Sequence, residues 1–465
     1  MIAAVGRTPP HVVWSTLGAM KTSLLSVFAV ACLAAGCQQV APPASVTDAQ
    51  GNTVTEWAVP AGAGSAEPDL FVTADGRLLL SWVKPFDQTR KALQFSTYSR
   101  DGRWQWAPKT IAVGATMMVN WADTPHIAAT ADGALWAHWL QRTRGADDQP
   151  GAESHDIILA RSTDEGMTWS APIRAHDDGR AVEHGFVSFW PAERDRLGIA
   201  WLDGRNLGTP ASGGKPAGMM ALRAATVAAV TAQVLTDSDD AGASSSTAAA
   251  SETVVPQVQG AVEVDATVCD CCGTDAAMTA RGPLLVYRDR TADEIRDVYA
   301  TRFDAGAWRT PQAVHADRFK TAACPMNGPA VAAAGEQAVV AWFTAADGAP
   351  RLQAAASRDA GDTFAAPVVV DKGDAMQGRA DIALDSKQAW IAWLREDAQG
   401  ASLWLARYTP DLSRELARVR IATLQTRGHG AGVPKLAARD GEAFVVWTDV
   451  ADGVSQLHGA RVRGR

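Results

Sequence analysis

One motif recurs seven times along the chain: an apolar strand, a short turn, and a second strand that closes on an aromatic. The closing residues are Trp82, Trp139, Trp201, Tyr287, Trp342, Trp393 and Trp447, spaced by 57, 62, 86, 55, 51 and 54 residues. A unit of this size cannot bury its apolar face alone and must stack on copies of itself. Short alternating strands at such a period predict a β-propeller. Each unit continues with two more strands, for example "HDIILARS" and "APIRAHDD", or "RLQAAASR" and "AAPVVVDK". The seventh unit lacks a fourth strand. "VTEWAVP", residues 54–60, is a strand of the right type. It is predicted to pair into the blade of Trp447 and remove the open edge. The expected fold is therefore all-β, a seven-bladed propeller of four-stranded blades closed by an N-terminal strand. Six of the 17 Trp occupy the repeated aromatic position, so much of the tryptophan excess is structural. The long interval of 86 contains "SDDAGASSSTAAASET", residues 238–253, whose composition predicts a flexible surface insertion.

The segment before the repeats has another character. From Met20 it reads "MKTSLLSVFAVACLAAGC", a positive start, an apolar run and small residues before Cys37. "LAAGC" resembles a bacterial lipobox. That resemblance implies cleavage before Cys37, a lipid anchor on its sulfur and, with Gln38 next, the periplasmic face of the outer membrane. Residues 1–19 lack signal character and are expected to be untranslated or unstructured. Residues 20–36 then form the signal peptide, 37–50 a linker to the anchor, and 51–465 one propeller domain. Folding in the envelope permits disulfides. The net charge of −8 gives no electrostatic footprint for nucleic acid. The expected partners are the membrane, through the anchor alone, and a small molecule or glycan. A monomer is expected.

"STDEGMTW", Ser162 to Trp169, and "SRDAGDTF", Ser357 to Phe364, match the pattern S-x-D-x-G-x-T-[WF] at one repeat phase. Asp164 and Asp359 are placed to accept backbone N–H groups. Gly166 and Gly361 permit positive φ, and Trp169 and Phe364 plug the blade. These segments resemble the Asp-boxes of bacterial neuraminidase repeat, sialidase-like propellers, over residues 50–465. "WLDGRN", "CDCCGTDAA" and "CPMNGPAVAA" further resemble a bacterial group usually labelled exo-α-sialidase. The resemblance implies the fold and, as one alternative, a glycoside hydrolase of sialidase type. Asp-boxes are structural and assign no activity. The Phe/Tyr-Arg-Ile-Pro signature of sialidases has no counterpart here, and no tyrosine has an obvious catalytic place.

In a propeller the links entering successive blades converge on the central channel. Here they carry Trp121, Trp190, Arg379, His429 and four of the six cysteines. Loops after the second strands add Asp203 with Arg205, and Arg288 with Asp289. Arginine forks suit carboxylates and phosphates. Arg205, Arg288 and Arg379, with Asp203 and Asp289, are therefore candidate ligands for an anionic small molecule or glycan. Trp121 and Trp190 are available for stacking. "CDCC", Cys269, Cys271 and Cys272, lies about one repeat before Cys324, so the two segments are expected to be neighbours. Three readings stay open: disulfides, best drawn as Cys269–Cys272 with Cys271–Cys324; a Cu or Zn thiolate site joined by Met326 or His429; or a redox-active dithiol.

Overall fold

The computed structural model describes residues 44–47, 51–105, 107–143, 154–208, 218–234 and 251–464. Cys37, the signal segment and most of the linker lie outside the described residues, as do positions 238–250 of the low-complexity stretch.

Seven antiparallel sheets stand side by side, and in six of them the strands run in chain order from the channel outward. We number them by the inner strand: Ala66–Val72, Ile127–Ala129, His184–Pro191, Asp275–Thr279, Ala330–Ala334, Met376–Leu384 and Lys435–Arg439 open blades 1 to 7. The inner strand of blade 7 neighbours that of blade 1, so the ring closes. Blade 7 takes its outer strands from the other end of the chain. Thr53–Glu56 pairs antiparallel with Val454–Arg463, and Ser45–Thr47 adds a fifth strand beyond it. The closing strand thus begins ahead of the expected 54–60, and part of the expected linker belongs to the sheet. Blade 3 departs from the repeat. Its outer strands, Met220–Val234 and Ser251–Val268, form one long hairpin. The end of the expected flexible insertion, residues 251–253, is therefore ladder strand.

The core is distributed. Seven apolar clusters occupy the seven seams between adjacent blades. Alternation along each second strand makes this possible, since successive side chains face opposite neighbours. In blade 1, Leu78, Leu80 and Trp82 face blade 7, while Leu79 and Val83 face blade 2. The repeated aromatic always faces the preceding blade. Three of these indoles also find an acceptor: Trp201 donates to Asp203, Trp342 to Asp317 and Trp393 to Asp371.

The two S-x-D-x-G-x-T turns share one hydrogen-bond set. Thr168 N and Oγ1 donate to the Asp164 carboxylate, as Thr363 does to Asp359. Gly166 N and Gly361 N donate to the hydroxyls of Ser162 and Ser357. Trp169 meets Phe95 of the preceding blade edge to face at 6.1 Å, and Phe364 packs into the seam between blades 4 and 5. Gly166 has φ +77°, and a Cβ there would lie 2.3 Å from the Phe95 ring. Gly166→Ala should therefore cost roughly 1–3 kcal/mol, from strain and overpacking together. A urea midpoint equal to that of the unsubstituted protein would refute this.

Candidate functional site

Register identifies seven equivalent positions on the inner strands, each opposite the residue that precedes the repeated aromatic. They are Asp69, His126, Ser188, Asp275, Ala330, Asp381 and Lys435. Asp69, Asp275 and Asp381 do the same work. Each accepts the backbone N–H of the residue just past the equivalent position in the next blade: Ile127 at 3.0 Å, Val331 at 2.7 Å and Leu436 at 2.7 Å. Asp123 bridges to Phe186 N and Asn327 to Arg379 N in the same way, one layer nearer the mouth. Five of the seven inner seams are stapled like this. Burial sets the acidity of the group. Asp275 is pushed up to about 7 by burial and by the charge of Asp381. Glu67 is pushed up to about 8 by burial. In Asp69 burial acts to raise the carboxyl, but the charge and hydrogen bond of His126, 3.0 Å away, with the charge of Lys435 and the Ile127 N–H, together draw it down.

The cavity lined by Asp123, His126, Asp275, Arg379, Asp381 and Lys435 encloses about 100 Å³. Sites for drug-sized ligands enclose roughly 300–1,000 Å³. This cavity is therefore smaller than the usual site of a drug-sized ligand. Glu67, Phe186 and Arg379 hold φ of 55°, 52° and 50° two residues before Asp69, Ser188 and Asp381. Each sits in a register shift of its inner strand. Such bulges re-aim side chains at a rim.

The sulfur atoms gather on the link from blade 3 to blade 4. Cys271 is disulfide-bonded to Cys324, with Cα atoms 6.2 Å apart. Cys269 and Cys272 are buried thiols with Sγ atoms 2.8 Å apart, and Cys269 Sγ lies 3.8 Å from Cys271 Sγ. Cys324 is exposed. Two arginines serve this cluster. Arg296 donates from Nη1 to Cys269 Sγ at 3.4 Å, and Arg288 adds positive charge. The hydrogen bond shared with Cys272, together with those cations, draws the Cys269 thiol down to about 6 despite its burial. Burial drives Cys272 the opposite way, well above the ordinary thiol value. With the Cys271–Cys324 bond reduced, Cys269, Cys271 and Cys272 could converge on one ion, as could Asp270, Cys271 and Cys324. His429 belongs to neither set, and Met326 lies on the cavity wall.

Several expected ligands have other duties. Arg288 is buried and spends its fork on three carbonyls, those of Asn327, Arg296 and Phe343. It clamps blade 4 to blade 5 and cannot turn to an anion. Arg205 forks onto Asp203 at 2.8 and 2.9 Å. Arg379 donates to Gly428 O at 2.7 Å and lies over Trp121 at 4.3 Å. Trp121 in turn stacks on His429 at 4.5 Å. Trp190 is buried in the seam between blades 3 and 4, against Trp308 and over Gly198, so it offers no stacking face. Asp289 is buried beside Asp265 and Asp297 and raised to about 6, chiefly by burial. The expected three-arginine anion site is therefore not assembled.

The four tyrosines are also committed to the blades. Tyr98 packs on Trp57 and Trp104, Tyr287 donates to Asp265, and Tyr299 lies beside Tyr287. Tyr408 donates to Glu415 at 2.6 Å, with Arg418 at hand. That trio resides where the third strand of blade 6 turns into the fourth, at the end of the sheet away from the mouth.

No protein-family model and no curated protein matches the sequence. Among solved structures, the chain is similar to a protein of unknown function from Dyadobacter fermentans DSM 18053. Identity is 12% over 87% of this chain and 95% of that one, with a TM-score of 0.45. A mutant of the NanB sialidase from Streptococcus pneumoniae aligns at 10% identity over 83% of each chain, TM-score 0.40. The polysaccharide lyase Uly1 aligns at 6% identity over 86% of this chain and 90% of that one, TM-score 0.46. Likeness at these values carries nothing about chemistry, and the site is read from its own residues.

Proposed function

We propose that this protein is a cell-envelope propeller whose mouth works as a thiol–disulfide site. In this reading it is monomeric and lipid-anchored through Cys37 at the periplasmic face of the outer membrane. The observation that carries the reading is the asymmetry of two buried thiols beside a disulfide. Cys269 is the acidic thiol, held by Arg296 and Arg288, and Cys272 is the protonated partner. A thiolate is the nucleophile in exchange, and a protonated neighbour is the natural resolving group. The Cys269 thiolate attacks Cys271 Sγ, 3.8 Å away. The Cys271–Cys324 bond breaks and its electron pair leaves on Cys324. Cys272 then attacks Cys269, loses its proton and releases Cys271. The net change is a Cys269–Cys272 disulfide and a Cys271, Cys324 dithiol. Two reducing equivalents have moved from the buried pair to exposed Cys324, where a partner's disulfide can accept them.

A second reading uses the same atoms. Once Cys271 is reduced, three sulfurs in one link suit a soft ion, Cu(I) or Zn(II). An anionic glycan is the poorer occupant, because Arg288 and Trp190 are spent inside the blades. A sialidase mechanism would need a tyrosine nucleophile or a carboxylate pair facing a free arginine cluster. The four tyrosines hold structural positions.

Ultraviolet titration of thiolate absorbance in the mature chain tests the proposal. One thiolate should appear with a midpoint near 6, against an ordinary thiol near 8.5. It should vanish in Cys269→Ser and persist in Cys324→Ser. A midpoint at the ordinary value would remove the nucleophile. Stoichiometric Cu(I) uptake by the fully reduced protein, with no exchange toward a disulfide substrate, would favour the metal reading instead.

A further inference from the structure

A second cluster of titratable side chains joins blades 2 and 3 and takes no part in the sulfur chemistry. Asp156 is on the third strand of blade 2, His155–Ser162. His176 and Asp178 follow the outer strand of that blade, Ile173–Arg174. His184 opens the inner strand of blade 3, and Asp203 closes its second strand, Leu197–Asp203. All five side chains are at least nine-tenths buried; those of His184 and His176 are 0% and 1% exposed.

Hydrogen bonds fix both imidazoles. His184 Nδ1 donates to the His155 carbonyl at 3.2 Å, and His176 Nδ1 donates to Asp178 Oδ1 at 2.8 Å. With the proton on Nδ1, each Nε2 presents a lone pair. His176 Nε2 lies 3.3 Å from Asp156 Oδ1. His184 Nε2 lies 3.3 Å from Asp178 Oδ1 and 3.8 Å from Asp203 Oδ1. Neither nitrogen has a hydrogen-bond partner among the described residues, and Asp178 Oδ2 lacks one as well. Three buried acceptors of one cluster are thus left unsatisfied. Desolvating such groups without a partner is costly.

A proton on each ring is a poor answer. The rings stack face to face with centroids 3.5 Å apart, so two imidazolium charges would repel at close range. The charge balance asks for a cation. Asp156 is paired with Arg174 and Asp203 with Arg205, each at 2.8 Å, and Arg205 also feels the charge of Asp178, so three carboxylates are met by two arginines. The donors form two overlapping sets, Asp156 with His176 and His184, and Asp178 with His184 and Asp203. Within each set the ligand atoms lie no more than 4.8 Å apart.

We infer that this cluster is a divalent metal site between blades 2 and 3, with His176 Nε2, His184 Nε2 and the Asp156 and Asp178 carboxylates as ligands. Two imidazoles with carboxylates, and no sulfur, suit Zn(II) or another first-row ion. The His155 carbonyl orients His184 from the second layer, the usual means of holding a ligand ring. Arg205, which also faces exposed Asp177 at 3.6 Å, covers the cluster toward solvent and marks the way in.

The test uses mature protein carrying Cys→Ser at positions 269, 271, 272 and 324, so that sulfur cannot bind the probe. Metal-free protein is titrated with Zn(II) by calorimetry and with Co(II) by absorption. The expected result is one equivalent of each, with a Co(II) spectrum of nitrogen and oxygen ligation. Affinity should fall at least tenfold in His184→Gln and in Asp178→Asn, with circular dichroism unchanged. No uptake of either ion by the folded Cys→Ser protein overturns the site, whatever the histidine variants do. Equal binding in His184→Gln overturns it as well.

Discussion

Trp393→Ala should lower the unfolding free energy by about 3–5 kcal/mol. The indole is fully buried in the seam between blades 5 and 6, where it packs against the preceding blade. Its Nε1 donates to Asp371 Oδ2 at 2.8 Å, and the same carboxylate holds Arg395 at 2.6 Å. Truncation empties the seam and leaves part of Asp371 without its donor, so cavity and polar costs add. Trp121→Ala is the natural contrast. Trp121 is half-buried at the mouth between Arg379 and His429, and the cost there should be less than half as large. The two urea midpoints decide the matter. Equal losses, or a Trp393→Ala loss within about 1 kcal/mol of zero, would show that the repeated aromatic does not carry the seams.

That aromatic is also why the fold was legible. A bulky residue at a fixed phase must fill the same seam in every blade, so its spacing reports the blade count directly. The site was less legible, for reasons visible in single residues. Arg288 and Arg379 look alike in sequence, each beside a channel link or second-strand end. Their roles diverge because Arg288 donates to the carbonyls of Asn327 and Phe343 on the blade 5 side as well as to Arg296 O, and the next blade's backbone does not show in a local motif. Trp190 reads as a mouth residue from its place in a link. It is instead an inward position of the inner strand, and Gly198 opposite leaves the space its indole fills. The carboxylate staples Asp69 and Asp275 escaped notice although a signal existed: each equivalent position lies twelve or thirteen residues before the repeated aromatic. Counting back from Trp82, Tyr287 and Trp393 finds all three aspartates. The cysteine segments did come together as their spacing of one repeat suggests, because equivalent links of adjacent blades are neighbours in a ring.

Ring closure should prove as important as any seam. Thr53–Glu56 completes the sheet of blade 7, and Trp57 N donates to Gly459 O at 2.9 Å just past the ladder. The Trp57 side chain then reaches across the seam. Its ring lies 5.0 Å from Tyr98, 5.1 Å from Trp104 and 5.1 Å from Phe444, which joins blade 7 to blade 1. Gly459 is required beneath it, since a Cβ there would lie 2.5 Å from Trp57 O. Trp57→Ala should cost about 3–5 kcal/mol, like a blade aromatic. Deleting residues 44–57 should cost more. It removes the indole and also leaves Val454–Arg463 with a row of unpaired backbone groups, an edge that recruits other chains. The expected outcome is a lower urea midpoint together with concentration-dependent oligomers on gel filtration. Trp57→Ala alone should remain monomeric, because its ladder is intact. A deleted chain that stays monomeric and unfolds at the original midpoint would mean that blade 7 is complete with three strands and that the ring is held by its seams alone.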